Sequence, residues 1–222
     1  MPTTIFEMEN NLESPHNRDM KTESQAQGIS KKWDRLAGAV TYALDIHASQ
    51  IRKGAMTPYI GHLLGVASLV LEHGGDEEQA AAGVLHDAIE DCGAEHEGVI
   101  RARFGERVAA IVRGCTDADT IPKPPWRARK QAYISHLEDA GPDIWLVSCA
   151  DKLHNARAIL TDLQTHGEAV FNRFAAGQDG TVWYYGALAE AFNRLLPGPL
   201  SRELKETVER IEQRALSRAI KN

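Results

Sequence analysis

The chain has 222 residues, 43% hydrophobic and 25% charged, with a formal net charge of −6 and a pI near 5.8. This ordinary globular composition disfavours a protein that coats nucleic acid, which needs a basic face, but allows a small polyanion held by a few local cations. No stretch nears the ~20 apolar residues that cross a bilayer, and the N-terminus lacks a signal peptide's apolar core, so a cytoplasmic protein is expected.

Residues 1 to about 29 are polar, with scattered charges, and read as a mobile tail. From Lys31 the pattern turns helical. Trp33, Leu36, Ala37, Val40, Ala43, Leu44 and His47 recur at spacings of three and four, until Gly54 to Pro58 breaks the run. A second helix is expected from about Ile60 to Glu72, with Leu64, Ala67, Val70 and Leu71 inward, ended by His73-Gly74-Gly75. Asp76 reads as the N-cap of a third, with Gln79 completing a capping box. That helix is alanine-rich and is expected to continue through Val84, Leu85 and Ile89.

Short helices follow at about 96–103 and 105–114, then a stiff loop at Pro122, Pro124 and Pro125. Helices resume at about 126–139, 143–163, 167–176, 180–195 and 199–219. The period-two alternation of strands is nowhere found. The class is all-α: one multi-helix domain over 30–222, following the tail. Cys92, Cys115 and Cys149 are too few and too far apart for a disulfide framework or a cysteine-built zinc site, and read as small buried residues.

Chemistry concentrates in Val84-Leu85-His86-Asp87-Ala88-Ile89-Glu90-Asp91. On a helix, His86 and Glu90 are four apart, as are Asp87 and Asp91, so all four share one side. Three clustered carboxylates repel one another, and a divalent cation bound by imidazole and carboxylate together removes that cost. A solvated acidic helix end is the plainer alternative for this segment taken alone. Two other segments weigh against it. Pro58-Tyr59-Ile60-Gly61-His62 puts a histidine in the first turn of the second helix. Ala150-Asp151-Lys152-Leu153-His154-Asn155 puts an aspartate inside an apolar helix, where a lone charge is expensive. A metal shared with His86 and Asp87 would partner Asp151, and Asn155 would line the same cavity.

The order His62, His86-Asp87, Asp151 resembles the ligand set of the HD superfamily. The words around it are similar to the hydrolase domain of RelA/SpoT homologues: Arg52-Lys53-Gly54, Pro58-Tyr59-Ile60, Leu85-His86-Asp87, Ile89-Glu90-Asp91, Phe104-Gly105, Gly114 with Thr116, and Ala150 to Asn155 with Arg157. The resemblance spans about residues 33–160, with the helices of 161–222 expected to pack on it. It implies a compact HD domain in which His62, His86, Asp87 and Asp151 bind a metal. Mn²⁺ is the family's usual ion, ahead of Fe²⁺, Co²⁺ or Zn²⁺. Glu90 and Asp91 match the family's catalytic acidic pair, Arg52 a residue packing on the base, Lys53 one near the phosphates, and Asn155 one contacting the nucleoside.

The implied reaction is removal of the 3′-pyrophosphate from ppGpp or ppApp alarmones, giving a nucleoside 5′-phosphate and pyrophosphate. The alternatives are another HD phosphohydrolase, such as a 5′-nucleotidase or dNTP triphosphohydrolase, and an antitoxin-like hydrolase of pyrophosphorylated tRNA. Ending before any synthetase domain, the chain resembles the small alarmone hydrolases, and a homo-oligomer is left open. Leu63 stands where the family commonly has proline. The loop Asp117 to Trp126 is unlike the bifunctional enzymes and is expected to decide base preference. His47 and His154 read as structural, and Trp126 as packing on the loop prolines. Trp183-Tyr184-Tyr185 reads as core or docking aromatics, with a dimer surface as the alternative.

Overall fold

The computed structural model describes residues 33–118 and 122–216. The expected tail over 1–29 lies outside the described residues, as do 119–121 of the proline loop and the closing 217–222. The chain divides into two units at Asp34, and residues 35–222 form the larger. The described residues form nine α-helices: α1 Asp34–Ile46, α2 Ile60–Glu72, α3 Glu77–Leu85, α4 His96–Phe104, α5 Glu106–Cys115, α6 Trp126–Asp139, α7 Pro142–His166, α8 Gly177–Leu195 and α9 Pro199–Leu216. No strand occurs among them, only one isolated antiparallel bridge between Ile51 and Pro58.

α7 is the axis of the fold. Proline in its first turn and Gly167 at φ 64 bound it, as expected of a residue pre-set for helix and one free to enter the left-handed region. Leu146, Val147, Leu153, Ala156, Ile159 and Leu160 bury its apolar side against α2, α3, α5, α8 and α9. α2 and α3 pack as a pair beside it, and α9 lies across α7 and α8.

The start of α3 forms the capping box read from the sequence. Asp76 accepts from the Gln79 amide at 2.9 Å, and Gln79 Oε1 accepts from the Asp76 amide at 2.8 Å. Glu77, one residue on, accepts the Arg35 and Leu36 amides at 2.8 and 3.2 Å, so one turn of α3 satisfies the exposed N-terminus of α1 as well. Arg107 ties the corner, donating to both oxygens of Asp143 at 2.7 and 3.0 Å and to Asp76 at 2.5 Å.

Asp76→Ala should cost about 1 kcal/mol, the usual worth of an N-cap, read as a lower urea midpoint at unchanged slope. Desolvation pushes the Asp76 carboxyl up, but Arg107 and the Gln79 amide outweigh it and hold it below its ordinary 3.8. A group depressed by folding lends its stability above its unfolded value, so this contribution is full above about pH 4. It is lost as pH falls through the lower folded value.

Three expectations are corrected, the third being Leu64 as an inward residue of the second helix. The third helix does not run on to Ile89: α3 ends at Leu85, and Ala88–Cys92 form a π-helical turn. The expected helix at 167–176 is a 3₁₀ turn over Gly167–Arg173. On α2, Leu64 is 44% exposed while Leu63 is fully buried. This helix is apolar nearly all round, so hydrophobicity alone leaves its rotation undetermined.

Candidate functional site

His62 enters the interior from the first turn of α2 and His86 from the end of α3, and both rings are buried. Asp87 follows His86 directly, and Asp151 projects from the middle of α7. Asp87 Oδ2 lies 3.0 Å from His86 Nε2 and 3.6 Å from His62 Nε2. Asp151 Oδ1 lies 3.4 and 3.3 Å from the same two atoms. Four side chains from three helical segments therefore meet at one point, and His62, His86 and Asp87 form a group with the spacing of metal ligands.

The ring nitrogens show what that point attracts. His86 Nδ1–H donates to the Gly83 carbonyl at 2.8 Å, which leaves the lone pair on Nε2. His62 Nδ1 meets His154 Nδ1 at 3.0 Å. Burial, then His62 and Arg52, push His154 down to about 4, so it is neutral near pH 7; in the tautomer where its Nδ1 accepts from His62 Nδ1–H, His62 keeps its lone pair on Nε2. Both Nε2 atoms are buried and make no hydrogen bond among the described residues. Two lone pairs and two carboxylates converging out of water are a costly arrangement unless a cation sits among them.

The carboxylates answer to the same field. Burial pushes Asp87 up, but His86 and His62 outweigh it and hold its carboxyl well below the usual range. For Asp151, burial is likewise outweighed, first by Lys152 and then by His86. Burial pulls His86 down, but the two aspartates raise it well above its ordinary value. The protein thus favours positive charge at this point, whether a proton or a metal ion. A sulfur-free set of two imidazoles and two carboxylates suits Mn²⁺ or Fe²⁺ by donor type.

Supporting contacts were not evident from the sequence. Tyr59 donates to Asp87 Oδ2 at 2.5 Å; burial and that carboxylate raise its pKa, which keeps the phenol a donor. Lys152 Nζ donates to Asp151 Oδ2 at 2.7 Å, and Asn155 Nδ2 to Oδ1 at 2.6 Å. The lone buried charge thus has protein partners besides the histidines. His154, read as structural, packs on the His62 ring. Gly65 makes room for it, since a Cβ there would overlap the imidazole. Gly65→Ala should cost roughly 1–3 kcal/mol by overpacking, and a metal titration should show weaker binding because His62 is displaced.

The acidic pair lies on the π-helical turn. Glu90 accepts from Lys123 Nζ at 2.9 Å, with Arg129 at 3.7 Å. Asp91 accepts from Gln50 Nε2 at 2.8 Å, and His47 Nδ1 meets Gln50 Oε1 at 2.6 Å. The buried His47 therefore fixes the amide that holds Asp91. Desolvation and then the Asp87 carboxylate raise Asp91, against the pull of Gln50.

Beside this point opens a cavity of about 560 Å³ that shares Tyr59, His62 and Asn155 with it and carries Arg52 and Lys53 on its wall. Arg52 donates to Asn155 Oδ1 at 2.9 Å and lies over the Tyr59 ring, 5.9 Å from its centre. The turn that presents both cations is closed by Arg52 N to Thr57 O at 2.9 Å and passes through Gly54 at φ 76. The Arg173 side chain lies flush on Gly54, where a Cβ would overlap it. Trp126 packs on Trp183 and Tyr184 rather than lining the cavity. Cys92 is half-buried and Cys115 and Cys149 are buried, all unpaired.

The chain is similar to known proteins in sequence and in fold. The guanosine-3′,5′-bis(diphosphate) 3′-pyrophosphohydrolase MESH1 of Xenopus tropicalis is 38% identical over 122 residues, 54% of this chain and 66% of that protein. A crystal structure from Listeria monocytogenes EGD-e aligns at TM-score 0.60 and 31% identity, covering 67% of this chain and 96% of the other. A metazoan SpoT orthologue described as hydrolysing ppGpp aligns at TM-score 0.65 and 24% identity, covering 79% and 94%, a likeness of fold. The share of the relative that is matched varies widely, from about two thirds to 16% for a Synechocystis protein and 14% for one from Mycobacterium leprae. The HD domain model matches residues 39–182, a span that runs from α1 through the metal-ligand-like cluster into α8, and the chain belongs to the HD domain family.

Proposed function

We propose that this protein hydrolyses the 3′-pyrophosphate of ppGpp-type nucleotides, with a divalent metal held by His62, His86, Asp87 and Asp151. The observation that carries the reading is the pair of buried, unbonded Nε2 atoms of His62 and His86 facing two carboxylates, at the edge of a cavity large enough for a nucleotide. The names of the relatives support the substrate class. Mn²⁺ is the ion proposed. ppApp is the companion substrate to be tested, and residues 30–222 are the proposed hydrolase domain.

When bound, the cation supplies a Lewis acid for a phosphoryl oxygen and lowers the pKa of a water. The chain's own groups do the rest. The carboxylate of Glu90, steadied by Lys123, takes a proton from the attacking water, and Asp91, held by Gln50, orients that water. The water oxygen joins the 3′-phosphorus, the P–O3′ bond breaks, and O3′ takes up a proton. ppGpp and water thus give GDP and pyrophosphate. Arg52 packs on the base, Lys53 lies toward the phosphates and Asn155 meets the ribose, so the ester is held in place before reaction. A cytoplasmic site of action goes with this substrate. No described helix is long and apolar enough to cross a membrane.

The test is a substrate panel. Mn²⁺-loaded protein is incubated with ppGpp, ppApp, dNTPs and dNMPs, and pyrophosphate and phosphate are assayed separately. Pyrophosphate release from ppGpp is expected. Release of triphosphate from dNTPs or phosphate from dNMPs, with neither 3′-pyrophosphate cleaved, would assign the protein to another HD chemistry.

A further inference from the structure

The far end of the cavity is built differently from the end that meets the histidines. Asp151, Asn155, Ala158 and Asp162 stand at positions i, i+4, i+7 and i+11 of α7, on one helix face. Asn155, Ala158 and Asp162 all line the cavity. Asp151 and Asp162 are about 16 Å apart along the axis at the α-helical rise, room for a ribose and a purine laid end to end. Beyond Asn155 the wall carries Ala158, Ile159 and Phe174 together with Thr161, Asp162 and Arg173. Arg173 donates to Asp162 Oδ2 at 2.7 Å and to the Lys53 carbonyl at 3.3 Å.

On α7 this end presents a carboxylate rather than a cation, already paired with Arg173, and it lies near the helix C-terminus, where the dipole is negative. A base fits it, with its flat faces against apolar wall and its edge toward Asp162. The carboxylate is acceptor-only, so it selects an edge that donates. Guanine offers two adjacent donors there, N1–H and the 2-amino group. Adenine offers one amino group beside N1, an acceptor, whose lone pair would face the carboxylate. Arg173 fixes the orientation of Asp162 and offsets its charge while leaving lone pairs for the base.

Resting on the reading that the cavity takes the nucleoside of a 3′-pyrophosphorylated nucleotide, we infer that Asp162 is a specificity-determining residue that makes this protein select guanine over adenine. Base choice then lies on α7 rather than in the loop Asp117 to Trp126, since no described residue of that loop lines the cavity.

The experiment is calorimetric titration of GDP and of ADP into the metal-loaded protein and into Asp162→Asn, alongside kcat/KM for ppGpp and ppApp. Asparagine keeps the shape and replaces one acceptor by a donor. The wild type should bind GDP at least about 10-fold tighter than ADP, as expected for hydrogen bonds to a charged group. In Asp162→Asn that ratio should collapse toward one through weaker GDP binding, with ADP changed less than about 3-fold. Equal affinities in the wild type, or a preference that survives in Asp162→Asn, would overturn the inference. The wild-type comparison requires no variant to fold. Loss of all turnover with a GDP preference that depends on Asp162 would defeat the proposed reaction and leave the base assignment standing.

Discussion

Asp87→Ala should lose both bound metal and turnover. Its Oδ2 lies nearer His86 Nε2 than Asp151 Oδ1 does, 3.0 against 3.4 Å, and it also accepts the Tyr59 hydroxyl. Truncation removes a negative ligand and leaves a half-buried phenol and two imidazole lone pairs with less to bind. Removing a group that merely supports a ligand typically costs 10–100-fold in affinity or activity. Loss of a ligand should therefore exceed about 100-fold in kcat/KM, with metal per chain falling to background after gel filtration. Because Asp151, Lys152 and Asn155 remain paired, the fold should persist, and a helical circular dichroism spectrum checks that. Wild-type metal content in Asp87→Ala would contradict its role as a ligand.

Glu90→Gln separates chemistry from binding. Glu90 sits on the π-helical turn with its carboxylate toward Lys123 and Arg129, outside the four groups that converge on the histidines. Glutamine keeps the length and the hydrogen bond from Lys123 but cannot take a proton from water. A general base is worth roughly 10²–10⁴ in rate, so kcat should fall at least about 100-fold. Metal content and GDP affinity should change less than about 3-fold. A kcat near wild type would move the base elsewhere. A fall in metal content matching the fall in kcat would make Glu90 a ligand instead.

The helical frame was largely legible because its signals are local. The capping box at Asp76 and Gln79, proline at the start of α7 and the 3.6-residue rhythm of α1 each act within a few residues of themselves. The convergence of His62, His86, Asp87 and Asp151 was legible for another reason. Asp151 lies in an apolar stretch where an unpartnered charge would be expensive, and its partners had to come from elsewhere in the chain. The resemblance then linked the separate segments.

What the sequence concealed depends on exact backbone phase or on distant contacts. A π-helical turn takes in an extra residue per turn without marking the hydrophobic pattern, so Glu90 and Asp91 leave the straight-helix rows expected of them, and such turns recur at functional sites. The rotation of α2 was ambiguous because Leu63 and Leu64 are chemically alike. Gln50 on Asp91, Tyr59 on Asp87 and Lys123 on Glu90 join residues some 30 to 40 positions apart, pairings that periodicity does not report. His47 illustrates the difficulty. It is buried, as a core histidine would be, yet it steers the amide that holds an acidic residue of the site.

Anomalous diffraction from crystals of the Mn²⁺-loaded protein addresses the ligand set most directly. The expected result is one strong manganese peak bonded to His62 Nε2, His86 Nε2 and one oxygen each of Asp87 and Asp151. A peak elsewhere, or one that leaves out His62 or Asp151, would contradict the catalyst described above.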